Sequence, residues 1–419
     1  MGKNSRRNKI LAAVSALVLL AVFGFMGIEQ FDPKERTLRI IEDDAVTTNA
    51  ETETEDVDKE SIALDIDAKS AVLIDGNSGE VLYAQNEKKH LPPASVTKVM
   101  TLLLILEGCE SGRISFDDKV TISERAASMG GSQMYMEQGE QHTVEELLKG
   151  VIMVSANDGC VALGEYLSGS VESFVKDMNK RAKELGLRDS HFVNTNGLPV
   201  ADHYSCAYDI GVISSELMKH EEAHKWFTTW QEDIKVGLPG KESKFTLTNT
   251  NKLIRSYNGA IGIKTGYTED AGYCLSGAAE REGTRLIGVV LGCKTSEIRF
   301  KEMARLLDHG FANYETVIMA EKGEKVKKIH IEKGEVQEAY AVSPEEIGVT
   351  VAKGSRDKIK KKISIDKNIK LPIKENDTIG TMTIYKDGEK ISEHDLVSDR
   401  TVNSAGFMTI YIRMLKSIL

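Results

Sequence analysis

The chain has 419 residues, 41% of them hydrophobic and 28% charged, with a net charge of −10. That length allows two or three domains and excludes disorder throughout. One long apolar run excludes a polytopic membrane protein, and the acidic balance argues against a general nucleic-acid binder.

Four bases (Lys3, Arg6, Arg7, Lys9) precede 19 residues, Ile10 to Ile28, interrupted only by Ser15. A basic start before an apolar run is an export signal, and the run is also long enough to span a bilayer. Residues 1–28 are therefore expected to be a signal peptide or a membrane anchor. Residues 29–62 hold 12 acids and 4 bases, including the tract Glu51-Thr52-Glu53-Thr54-Glu55-Asp56. Like charge and low hydrophobicity predict an acidic disordered linker there. The five cysteines show no CxxC spacing, and their odd number predicts buried thiols rather than a disulfide framework.

Catalytic chemistry is expected in residues 63–316. Ala71 to Asp75, a Gly-Asn-Ser-Gly turn and Glu80 to Tyr83 read as a hairpin. After Pro92-Pro93, Ser95 to Glu107 reads as a helix apolar enough to be buried on nearly all sides. Helical patterns run on through Val144–Leu167 and Val171–Leu185, and strands return at Tyr273–Gly277 and Arg285–Leu291. Strands at both ends with helices between predict an α+β domain, an antiparallel sheet covered by a helical cluster. Residues 317–400 alternate in short segments punctuated by Gly323, Gly334, Gly354 and Gly380, and predict a small all-β domain. Within it Thr381–Tyr385, Lys386-Asp387-Gly388 and Glu389–Ile391 form a hairpin signal. In residues 401–419, Phe407 to Leu419 predicts a helix whose narrow polar stripe is Thr409, Arg413 and Lys416. That face fits an in-plane membrane anchor better than a helix docked on the β domain, and it is too short to span.

Three short motifs carry chemistry: Ser95-Val96-Thr97-Lys98, Ser155-Ala156-Asn157 and Lys264-Thr265-Gly266. Lys98 lies one helical turn after Ser95, so its amine can reach the hydroxyl. A serine needs an adjacent base, and lysine serves only when neutral, which burial and a second cation at Lys264 promote. Ser155 follows an apolar helix end and can relay protons between the amines, while the Asn157 amide can orient Lys98 and a substrate peptide. Lys264 and Thr265 present a cation and a hydroxyl to a terminal carboxylate, and Gly266 lets a substrate approach the backbone. The backbone N–H groups of Ser95 and Tyr267 are the natural oxyanion pair.

Set in this order, the three motifs make the chain resemble the serine-type D-alanyl-D-alanine carboxypeptidases, the low-molecular-mass penicillin-binding proteins. The likeness extends over about residues 63–415 and takes in Gly130-Gly131-Ser132, Asn196-Gly197-Leu198-Pro199 and Ala271-Gly272-Tyr273. The resemblance implies a penicillin-binding-protein/β-lactamase-like fold and a β domain followed by an amphipathic anchor. It implies acylation of Ser95 by the penultimate D-alanine of a peptidoglycan stem, release of D-alanine, hydrolysis, and slow-leaving adducts with β-lactam antibiotics. It implies no cofactor, and a place on the outer face of the bacterial cytoplasmic membrane. Gly159 and Cys206 depart from the usual alanine and threonine.

His220-Glu221-Glu222-Ala223-His224 matches a zinc-protease pattern. Glu242 is too poorly placed for a third ligand, so a surface helix is expected and no metal. Ala156 stands where a class A β-lactamase needs aspartate. A DD-endopeptidase acting on crosslinks and a non-catalytic β-lactam receptor remain as alternatives.

Overall fold

In the computed structural model the described residues are 64–366 and 369–418, so the basic leader and acidic linker lie outside them. They form two compact units, one of residues 64–320 with 346–360, the other of 321–345 with 361–418.

The first unit is built on a five-stranded antiparallel sheet. Its order is Val81–Gln85, Ser70–Asp75, Thr284–Cys293, Gly272–Arg281, Ala260–Thr268. The three inner strands read as near-continuous apolar runs because both faces are covered. On one face Val72, Ile74, Ile287, Val289 and Leu291 meet the helical cluster. On the other Ala71, Leu73, Leu286 and Val290 meet the Ser296–Asn313 helix through Met303, Leu306 and Leu307. The expected hairpin forms, with Leu73 opposite Tyr83. Its turn is closed by Asp75, whose carboxylate accepts from the Ser78 amide at 2.8 Å.

At the centre of the cluster runs the helix Lys98–Glu110, buried at ten of its positions and packed on the Asn157–Ser168 and Ala207–Leu217 helices. A helix apolar all round cannot lie on a surface. A short 3-10 turn, Ala94–Thr97, precedes it and carries Ser95 to the edge of the core. Thr143 opens Val144–Met153 with a reciprocal capping box to Glu146, which fixes where that helix starts and therefore where Ser155 falls.

The strand Ile347–Ala352, read from the sequence as part of the all-β region, pairs with Tyr314–Ala320 inside the first unit. Thr350 donates to the buried Asp75 at 2.7 Å, and the Thr316 amide donates to Thr284 at 2.8 Å. The unit therefore closes with a segment from far along the chain.

The second unit carries a five-stranded sheet in the order Lys325–His330, Glu338–Val342, Glu389–Ser398, Thr378–Lys386, Ile359–Ile365, its first four strands antiparallel. The expected hairpin sets Tyr385 opposite Lys390. The closing helix spans Phe407–Ile418. Arg413, expected on a free polar stripe, instead donates to the Gly334 and Glu335 carbonyls at 2.8 and 2.7 Å. The helix is thus tied to its own unit by its polar side, while Phe407, Met408, Tyr411, Ile412, Met414 and Leu415 are exposed. Among the described residues no helix is long and apolar enough to cross a membrane.

Candidate active site

The three motifs meet at one place. Lys98 is fully buried, and its Nζ lies 2.9 Å from Ser95 Oγ, 2.7 Å from Asn157 Oδ1 and 2.7 Å from the Asn196 carbonyl oxygen. Burial brings the amine down to about 8, against partial support for its charge from the Cys160 and Asp158 side. At pH 7 that raises the neutral fraction from about one in three thousand to about one in ten.

Geometry decides what the neutral amine does. Two of the three neighbours, Asn157 Oδ1 and the Asn196 carbonyl, can only accept. A neutral amine has two N–H bonds, which those acceptors take, leaving its lone pair for the third neighbour, Ser95 Oγ. The serine hydroxyl can then donate to the lysine.

Asn157 is held so that its amide cannot turn over. Its Nδ2 donates to the Gly130 carbonyl at 2.7 Å, and its backbone N–H donates to the Ser132 carbonyl at 2.7 Å. The neighbouring Asp158, fully buried, accepts from the Met134 and Gly159 amides at 2.9 Å each and so braces the same loop. Asn196 owes its position to a loop closed on itself. Asn194 Oδ1 accepts from the Asn196 and Gly197 amides, and a Cβ on Gly197 (φ +86°) would stand 1.8 Å from the Ala94 carbonyl oxygen. Only glycine permits that approach.

Lys264 is also fully buried, and its amine donates to its own neighbour's carbonyl, Thr265 O, at 3.0 Å. Burial first, then the charge of Lys98, holds it well below its ordinary value. Thr265 Oγ1 lies 2.8 Å from Thr250 Oγ1. Beneath this strand Arg299 donates to the Gly266 and Cys274 carbonyls at 3.1 and 3.3 Å, so a third buried cation underlies the site. Tyr267 is half exposed on the outer edge, its ring against Tyr273.

Ser155 Oγ is buried and has no hydrogen-bond partner among the described residues. Its residue occupies the left-handed region (φ +63°) where the chain reverses between two helices. A Cβ on Gly266 would come within 3.0 Å of the Ser95 and Val96 amide nitrogens. The missing side chain thereby lets the edge strand close on the turn that carries the nucleophile.

The HExxH pattern is split. His220 precedes a 3-10 turn and lies 3.6 Å from Glu110, while His224 starts a separate short helix with Nε2 2.9 Å from the Met218 carbonyl. The two imidazoles serve different partners. All five cysteines are unpaired, and Cys206 caps the Ala207–Leu217 helix, its sulfur accepting from the Asp209 amide at 3.3 Å. The thiol thus fills the capping role that a threonine hydroxyl would play.

Sequence reading missed Asn196, Asp158 and Arg299 as parts of this site. Asn196 opens the stretch Asn196-Gly197-Leu198-Pro199 and Asp158 follows Asn157 directly, but a backbone carbonyl ligand and a loop brace leave no spacing signal; Arg299 had none.

Comparison with known proteins follows the same outline. Residues 53–295 match the family model described as D-alanyl-D-alanine carboxypeptidase, and residues 314–404 match penicillin-binding protein 5, C-terminal domain. The chain is 42% identical over 348 residues to the D-alanyl-D-alanine carboxypeptidase DacF of Bacillus subtilis, covering 83% of this chain and 89% of that one. It is 33% identical to DacC of Escherichia coli, covering 82% and 86%. Among solved structures, penicillin binding protein 5 from Haemophilus influenzae superposes with a TM-score of 0.63 at 32% identity, over 81% of this chain and 99% of that one.

The Lys98 environment sets a pH dependence. Acylation of Ser95 by a penicillin is expected to rise about tenfold per pH unit up to about pH 8 and level off above it. Stopped-flow acylation measures this; a rate independent of pH between 6 and 8 would contradict the neutral-amine assignment.

Proposed function

The chain belongs to the D-alanyl-D-alanine carboxypeptidase family, and from that premise we propose how its residues remove the terminal D-alanine from peptidoglycan stem peptides. The observation that carries the proposal is the Lys98 amine, buried and flanked by two pure acceptors and the Ser95 hydroxyl.

The substrate's terminal carboxylate lies at Lys264 and Thr265. A carboxylate arriving there supplies the counter-ion that Lys264 lacks, which favours the charged form of the amine. Binding and electrostatics then reinforce each other. The penultimate D-alanine carbonyl sits against Ser95, its oxygen between the N–H groups of Ser95 and Tyr267. Each such donor is worth roughly 3–4 kcal/mol in the transition state.

Ser95 Oγ attacks the carbonyl carbon as its proton passes to the Lys98 lone pair. The C–N bond of the tetrahedral intermediate breaks, and the leaving nitrogen takes a proton from the Lys98 side through Ser155. The unsatisfied Ser155 hydroxyl suits this assignment, because a bound substrate nitrogen would be its first partner. D-Alanine departs, leaving the stem esterified to Ser95. Water attacks the ester with Lys98 again as base, and the serine is restored. A penicillin opens on Ser95 by the same attack, but its leaving group remains tethered and hinders the water.

We assign the enzyme to the outer face of the cytoplasmic membrane, exported by its leader and held at the surface by the Phe407–Ile418 helix. The support is the outward apolar face of that helix, with its Arg413 turned inward to carbonyls. Burying those side chains in lipid removes the exposed apolar area, at about 25 cal/mol per Å².

Two measurements follow. Ser95→Ala is expected to abolish labelling by a fluorescent penicillin and release of D-alanine from a pentapeptide ending in D-Ala-D-Ala. Labelling that persists would overturn the nucleophile, and cleavage of crosslinked dimers in preference to the pentapeptide would favour endopeptidase action. With residues 1–28 removed, the protein is expected to sediment with phospholipid vesicles. A variant carrying Phe407→Ser, Tyr411→Ser and Leu415→Ser should remain in the supernatant, and equal sedimentation of both would refute the anchor.

A further inference from the structure

Two flanks of the cleft are the ends of longer elements. One is the loop 130–140, whose Gly130 and Ser132 carbonyls hold Asn157. The other is the hairpin of Gln231–Val236 and Ser243–Thr248. Just past its second strand the Asn249 amide donates to the Trp230 carbonyl, and Thr250 Oγ1 lies 2.8 Å from Thr265 Oγ1. The loop therefore leads to the amide that orients Lys98. The hairpin leads to the hydroxyl assigned above to the substrate carboxylate.

One buried carboxylate ties the two elements together. Glu140 Oε2 accepts from the Gly237 amide of the hairpin at 2.8 Å, and its Oε1 accepts from the Glu137 amide at 2.5 Å, which closes the loop on itself. The same Oε2 lies 2.9 Å from Nε2 of His142, a ring that is buried as well. On its other side His142 Nδ1 lies 3.7 Å from Glu146 Oε2, in the first turn of the Val144–Met153 helix. The neighbouring strand Lys119–Thr121 sets Val120 opposite His142 and leaves Lys119 exposed, while Lys149 is engaged by Glu145 and Glu232. Among the described residues Glu140 and Glu146 are thus the charged groups within ion-pair distance of the ring. With a neutral ring Glu140 is a buried anion lacking a counter-ion, which is costly. An imidazolium supplies that counter-ion and donates from both nitrogens. Burial opposes the charged ring, but the hydrogen bonds to Glu146 and Glu140 outweigh it and hold His142 above its ordinary value. The stabilisation this gives is fully present below the ordinary histidine value of about 6.5 and is lost as pH rises through the higher folded value.

Resting on the carboxypeptidase reading of the cleft, we propose that Glu140 is a positioning residue joining its two flanks, and that a proton on His142 tightens the joint. With the imidazolium in place, the carboxylate is fixed between the ring and the Gly237 amide, so loop and hairpin hold together. Loss of the proton leaves a weaker, neutral hydrogen bond on Glu140 and leaves Glu146 to its cap on the Thr143 amide. The flanks then gain freedom. Asn157 and Thr265, on which they end, meet the substrate less well aligned.

Amide hydrogen exchange at Gly237 in the full-length enzyme reads the joint without reference to activity. Its protection factor is expected to fall about fivefold from pH 6 to pH 8, the difference between a charge-assisted and a neutral hydrogen bond. In His142→Gln, which keeps a donor but never the charge, protection should be low and level across that range. Glu140→Gln, which removes the carboxylate, should abolish the pH dependence as well. The catalytic consequence is read in KM for D-alanine release from a pentapeptide ending in D-Ala-D-Ala. The ratio of KM in His142→Gln to KM in the native enzyme is expected to be about three at pH 6 and about one at pH 8. Taking the ratio at each pH cancels the titrations of Lys98 and Lys264, which both enzymes share. A merely structural role for His142 would give a ratio that does not change with pH. Such a constant ratio, or Gly237 protection that is level with pH in the native enzyme, would overturn the proposal, and the second result decides it even where a variant does not fold. Native enzyme that protects Gly237 as expected yet releases no D-alanine would instead bring down the carboxypeptidase reading itself.

Discussion

The structure is organised around one desolvated amine. Lys98 sits inside a helix with no exposed face, where an ammonium group is costly, and the site tolerates it by surrounding it with oxygen. Three oxygens for three positions around the nitrogen is the decisive arrangement. Two belong to groups that can only accept, so once the amine is neutral its lone pair has one place to go. Solvent exposure would abolish this selectivity, because water would donate to and accept from the amine indifferently. Much of the local architecture serves that constraint. The capping box starts the helix that ends at Met153, two residues before Ser155, the Asp158-braced loop locks the Asn157 amide, and Gly197 allows the Asn196 carbonyl to come close.

Charge placement extends the logic. Three basic side chains, Lys98, Lys264 and Arg299, lie buried under one cleft, and among the described residues no carboxylate forms an ion pair with any of them. Such a group is poised for an anionic ligand, since the arriving carboxylate relieves a repulsion rather than creating a new desolvated charge. Burial favours a neutral Lys98, and in the function proposed above the far lysine is where the substrate carboxylate would rest.

Much of this was legible in the sequence where local periodicity carries it. The i, i+3 spacing of Ser95 and Lys98 needs only a helix, and the apolar run around Lys98 announces its burial. The antiparallel sheet showed in alternating and continuous apolar runs near both ends of the domain. What escaped were contacts made across long separations by groups without a signature. The Asn196 carbonyl is a backbone atom 98 residues from Lys98, and Arg299 is one arginine in an ordinary amphipathic helix. Gly266 signals close approach in the sequence, but the Ser95 and Val96 amides it closes on lie about 170 residues away and leave no local trace. The closing helix shows the same limit, because its amphipathic pattern was plain while the direction of Arg413 depended on two carbonyls 78 and 79 residues away.

The account stands on the titration of a single group. NMR of the full-length enzyme with 13C-labelled lysine ε-carbons, with the Lys98 resonance assigned by its loss in Lys98→Arg, reads that titration directly. A midpoint near 8 is the predicted result. A midpoint at the ordinary lysine value of about 10.4 would contradict it, because the amine would then be charged throughout the working range and could not accept the Ser95 proton.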